Sequence, residues 1–353
     1  MDARIQQHAK ILVNHSIKLK KGETVLIRPS DTLDLAGQIA IESYRIGADA
    51  VIDTLPTDSL LGYYEVSTPE YLAQYPKASE ALVKASDAII YIYDEKNPRA
   101  LTSIDPKKQM ERMKVVKPLR EETSKKRWTT TLHPTASYAR QAGMPLDEYR
   151  DFVYGAVLQD WEKESDRVSK LAGLMNLAEE INVRGKNTDL TFSKKGRKSV
   201  VDVGEHNMPG GEVYTSAIEN SANGMISFDH PAVRFWNEAK DVRLHFVDGQ
   251  VVDYSASKGY KLLKAAIETD EGSHRIGEFG LGTNQSITRP IKVNLFDEKE
   301  IGTAHIALGY SFPNTDGSNE SAIHWDFITK PDEVVFDETP VLKNGKFTSA
   351  TGL

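Results

Sequence analysis

AIIYIY, residues 88–93, is a run of six uncharged residues, three of them isoleucine. Such side chains suit extended backbone, and a run with no polar alternation is what a strand covered on both faces requires. Strands of that kind sit inside parallel sheets flanked by helices. Working outward, 24–27 (TVLI), 50–55 (AVIDTL) and 128–132 (WTTTL) read as further strands. Residues 3–16, 33–45, 69–86 and 106–126 read as helices between them, and Ser30-Asp31-Thr32 offers N-cap chemistry for the second helix. Strands alternating with helices predict an α/β domain with a mostly parallel sheet. No G-x-G-x-x-G follows a strand and no Walker-type loop occurs, so this half reads as a Rossmann-like scaffold without a nucleotide signature.

The texture changes after two charged helical segments over 146–182. Short alternating strands are expected at 181–184, 189–192, 199–203, 242–247, 251–255, 291–296 and 334–336, with one helix at 258–267. Asp248-Gly249 and Asn344-Gly345 are hairpin signals. The second half is therefore expected to be an α+β domain with a curled, largely antiparallel sheet. A length of 353 residues favours two cores, and the expected division is 1–175 and 176–353.

Composition narrows the function classes. Lys plus Arg number 44 against 51 Asp plus Glu, a net charge of -7, and no basic run occurs, so nucleic acid is not an expected partner. With no cysteine, thiolate nucleophiles, disulfides and Cys-type zinc sites are all excluded. The opening MDARIQQHAKILV lacks a long apolar h-region and no stretch of about 18 apolar residues occurs, so neither a signal peptide nor a membrane partner is expected. A cytoplasmic location follows as an expectation.

Four segments of the second half concentrate acids and imidazoles: MPGGE (208–212), IGEFGLGTN (276–284), EIGTAHIALG (300–309) and HWD (324–326). Taken singly, each has an ordinary reading. Glu212 after a Pro-Gly-Gly turn is solvated in most proteins. Glu278 amid glycines and apolar residues needs a cation or donors once buried, and Arg275 could serve. His305 in a small apolar run is more often a hydrogen-bonded core residue. His324 and Asp326, two apart in a strand, leave on one face, where they can reach an ion or simply solvent. Taken together, Glu212, Glu278, Glu300, His305, His324 and Asp326 form a mixed oxygen and nitrogen set that suits zinc, cobalt or manganese better than calcium. Carboxylate-rich sets of this type hold two divalent ions in several hydrolase classes.

In the spelling and order of MPGGEVYT, IGEFGLGTN, GTAHIALG and HWD, the chain resembles the aminopeptidase T/aminopeptidase S group of metallopeptidases, also called thermophilic aminopeptidases, over essentially its whole length. The resemblance implies an N-terminal α/β domain and a C-terminal metal-binding catalytic domain holding two divalent metal ions (Zn, Co or Mg/Mn). It also implies a homodimer and removal of N-terminal residues from peptide substrates. By motif, Glu212, Glu300, His305, His324 and Asp326 would ligate metal, and Glu278 would bridge both ions and be essential to catalysis. Two departures stand out: only 19 residues lead from His305 to His324, and Phe312 occupies the place where the family has an assisting tyrosine. Tyr310 is the candidate substitute, provided the segment is extended. The expected reaction is attack of metal-activated water on the first peptide bond; the alternatives are a catalytically weak or inactive metal-binding homologue, or another two-metal hydrolase such as a phosphoesterase.

Overall fold

The computed structural model of the chain describes residues 2–234 and 236–353. The chain forms two compact units: Met1–Gln159 with Gly204–Gly210, and Asp160–Val203 with Gly211–Leu353. The expected boundary at 175/176 lies inside the helix Trp161–Leu177, which belongs to the second unit.

In the first unit, Ala88–Tyr93 is the middle strand of a five-stranded sheet, ordered Asp49–Ile52, Thr24–Pro29, Ala88–Tyr93, Arg127–Leu132 and Asn207–Met208. All four pairings are parallel. Ile89 packs with Leu26 and with Val83 of the helix Lys77–Ala85, so burial by neighbouring strands and a covering helix accounts for the apolar run. The fifth strand is the chain's later return through 204–210, which Thr131 anchors by donating its hydroxyl to the Met208 carbonyl at 2.8 Å. Two residues carry no readable periodicity, and no strand was expected there.

The loops after the strands explain what Ser30-Asp31-Thr32 does. The helix begins at Asp34 with no side-chain cap. The buried Asp94 carboxylate instead accepts from the backbone N–H groups of Ser30, Asp31 and Thr32 at 2.7, 3.0 and 2.8 Å. Asp31 reaches across to the first turn of the helix Thr57–Val66, accepting from the Thr57 amide at 2.8 Å. The position where a parallel α/β fold offers successive amides to a phosphate is thus filled by the protein's own carboxylate.

The antiparallel strands of the second unit fall into two larger sheets of eight and five strands, with a two-stranded ribbon. Asp248-Gly249 and Asn344-Gly345 turn hairpins with positive φ at all four residues, as their sequence predicts. The expected strand at 291–296 is not formed: Asn294–Asp297 is a short helix. Its buried Asp297 carboxylate accepts from the amides of Ile291 and Val293, which turns the chain back on itself.

Candidate metal centre

The five-stranded sheet carries the chemistry. Its order is His324–Thr329, Ala304–Gly309, Ile276–Gly282, Glu212–Thr215 and Val200–Asp202, every pairing antiparallel. Residues paired directly across such a sheet project to the same side. The pairs Asp202–Glu212, Glu212–Gly282, Tyr214–Gly280, Gly280–His305, Glu278–Ala307, Ala307–Asp326 and Gly309–His324 therefore define one face. It holds Glu212, Tyr214, Glu278, His305, His324 and Asp326, separated by Gly280, Gly282, Ala307 and Gly309, with Asp202 and Ile328 at its two edges. The alternate residues, among them Phe279, Leu281, Ile306, Leu308, Trp325 and Phe327, are buried on the other face. There Phe279 meets Phe192 of the eight-stranded sheet at 5.3 Å between ring centroids.

The small residues clear the polar face. A Cβ on Gly280 would stand 2.3 Å from the His305 ring. The result is two groups of potential ligand atoms, each within 4.8 Å of one another: Glu212, Glu278 and His305, and Glu278, His324 and Asp326. Glu278 belongs to both. His305 Nε2 lies 3.2 Å from Glu278 Oε1 and 3.3 Å from Glu212 Oε2. His324 Nε2 lies 3.5 Å from Asp326 Oδ1 and 4.0 Å from Glu278 Oε2. His324 Nδ1 is 2.8 Å from the Tyr310 carbonyl, which can only accept, so Nδ1 carries the proton and Nε2 faces the acids.

Electrostatics mark the cluster as cation-seeking. Burial, and then the charges of Glu212 and Asp326, push the Glu278 carboxyl well above the usual carboxylate range. Burial acts the same way on Asp326, but the neighbouring His324 outweighs it and holds that carboxyl low. His324 is raised, with Asp326 and Glu278 overcoming its burial. Two buried atoms of the cluster, Glu212 Oε2 and His305 Nδ1, have no hydrogen-bond partner among the described residues. An orphaned carboxylate oxygen beside crowded carboxylates, with an imidazole facing them, fits a site built for divalent cations.

Glu300 does not join either group. It is buried against His230 Nε2 at 2.7 Å and Lys330 Nζ at 2.5 Å, which hold its carboxyl low against the effect of burial. Tyr310 presents its carbonyl to His324, while its ring stands edge-on to Phe312 at 5.7 Å. Phe312 lies against the His324 ring at 4.8 Å. Sequence reasoning missed Lys299, the fully buried cation of the site. Its Nζ is 3.0 Å from Glu212 Oε1 and also bonds Glu298, and these acids with Asp202 raise its ionisation despite burial. The lysine inside FDEKE was legible only as another surface charge; its company is set by the sheet.

Imidazoles and carboxylates on one sheet face, with glycine keeping them bare, are the equipment of a metal-dependent hydrolase. Residues 1–347 match the family model described as thermophilic metalloprotease (M29), and the chain belongs to that family. It is 26% identical to Aminopeptidase 2 of Geobacillus stearothermophilus, over 98% of this chain and 95% of that protein. It is 25% identical to Aminopeptidase AmpS of Bacillus subtilis, over 98% of both. The fold matches wild-type AmpT from Thermus thermophilus with a TM-score of 0.82, at 21% identity, covering 98% of this chain and 99% of that one.

Proposed function

We propose that the protein is a two-metal aminopeptidase that releases the N-terminal residue of peptides. The observation that carries this reading is Glu278, the one carboxylate common to both groups of potential ligands. Glu212 and His305 would hold one cation, His324 and Asp326 the other, with Glu278 between them. Such cations, when bound, lower the pKa of water and polarise a carbonyl. The chain's residues supply the rest. The Tyr310 carbonyl fixes the His324 tautomer, and Lys299 holds one oxygen of Glu212 so that the other faces the site. In this reading Tyr310 serves through its backbone rather than its hydroxyl, and Glu300 is structural. The names of the aminopeptidase relatives support the substrate class.

A homodimer, on the strength of the family likeness, and a cytoplasmic location, as expected from the cysteine-free sequence, belong to the same proposal. No described helix is long and apolar enough to cross a membrane. A second reading, a metal-binding homologue without turnover, draws on Phe312, whose ring brings no hydrogen-bond donor against His324. Aminoacyl p-nitroanilides assayed with added cobalt, zinc, manganese or magnesium separate the two. Turnover with at least one metal, lost in Glu278→Gln, supports the peptidase. Stoichiometric metal binding with no turnover under any metal supports the second reading.

A further inference from the structure

We propose that the Tyr214 hydroxyl donates a hydrogen bond to the carbonyl oxygen of the peptide bond being cleaved. This rests on the aminopeptidase reading. Tyr214 follows Glu212 by two residues on one strand, so both project from the polar face. It pairs with Gly280, and Gly280 pairs with His305, so tyrosine and imidazole flank a position with no side chain. The residue is buried. Among the described residues its hydroxyl makes one hydrogen bond, accepted from Asn314 Nδ2 at 2.8 Å. An amide N–H is a donor, so the phenol oxygen acts there as acceptor and its own proton is uncommitted.

The rest of the face sharpens the assignment. Its carboxylates can only accept once ionised. Lys299 is engaged with Glu212 and Glu298. Phe312, between Tyr214 at 6.4 Å and His324 at 4.8 Å, forms an apolar wall. Tyr214 is the one hydroxyl-bearing residue on this face of the sheet among the described residues. A carbonyl oxygen gains negative charge as water adds to its carbon, and a fixed donor aimed at that oxygen is worth more in the transition state than in the ground state.

The bland role for this hydroxyl is to anchor the short turn Pro313–Thr315 through Asn314. Two variants of the full-length, metal-loaded enzyme distinguish the roles. Tyr214→Phe removes only the oxygen. The expected result is a kcat lower by on the order of 100-fold, with KM, metal affinity and melting temperature kept. Asn314→Leu removes the anchor and leaves the hydroxyl, and most of kcat should survive. An active wild type whose Tyr214→Phe variant keeps kcat within about threefold overturns the inference alone. Equal losses of kcat and melting temperature in both variants overturn it too, in favour of anchoring. A wild type inert with every metal removes the aminopeptidase reading itself, and this inference with it.

Discussion

Lys299 is a fully buried lysine beside the site, and its burial has a physical account. A fully buried ammonium is costly unless paired, and here it meets Glu212, Glu298 and the charge of Asp202. Two effects of removing it oppose each other. Loss of a positive charge would favour a cation nearby, whereas loss of the hydrogen bond would free Glu212 to turn away. Partners that orient ligands are typically worth 10–100-fold in metal affinity, so orientation is expected to win. Lys299→Met should weaken zinc binding by about that factor in calorimetric titration, and Lys299→Arg should recover part of it. Tighter binding in Lys299→Met would show that charge balance is its main role.

At the scale of the element, the site is a property of one sheet face. The glycine-rich spelling of IGEFGLG is spatial: Gly280 keeps the His305 ring in place, and a Cβ there collides with it. Gly280→Ala should therefore abolish stoichiometric metal binding by displacing His305, read by metal analysis of the dialysed protein. Unchanged stoichiometry would mean that the strand yields. This scale also explains what was legible. The strand Ala88–Tyr93 and the hairpins at 248–249 and 344–345 announce themselves locally, through apolar runs and residues tolerant of positive φ. The motif resemblance pointed to the same family that the whole-chain comparison gives. Glu300 has a ligand-like spacing from His305, while the partners it meets in the structure, His230 and Lys330, lie 70 and 30 positions away in sequence. The pairing of Tyr214 with Gly280 and the return strand Asn207–Met208 were hidden because no local pattern encodes strand register, and Lys299, in the turn after the helix Asn294–Asp297, gives no local sign that it meets Glu212, 87 positions away.

Over the whole molecule, buried carboxyls outside the metal centre give folding stability a pH dependence. In the first unit Glu95 is buried beneath Tyr138, whose hydroxyl donates to it at 2.5 Å, and burial pushes its carboxyl up to about 7. Unfolded, it would titrate near 4.5. The folded state thus binds the extra proton between those values, so this contribution is complete below 4.5 and is lost as pH rises through 7. The slope is about 1.4 kcal/mol per pH unit for one proton. His8 in the same unit runs the other way. Its burial lowers the imidazole to about 3, so charging of the unfolded chain erodes stability as pH falls below 6.5. Glu95→Gln should therefore raise the melting temperature relative to wild type at pH 8 more than at pH 5. A pH-independent difference would place the proton elsewhere.

The central claim is that Glu278 joins two cations on one face of the five-stranded sheet. Anomalous difference maps from crystals grown with zinc or cobalt test it directly. The account predicts two peaks, both in contact with Glu278, one beside Glu212 and His305 and the other beside His324 and Asp326. A single peak, or two of which either stands away from Glu278, would contradict it.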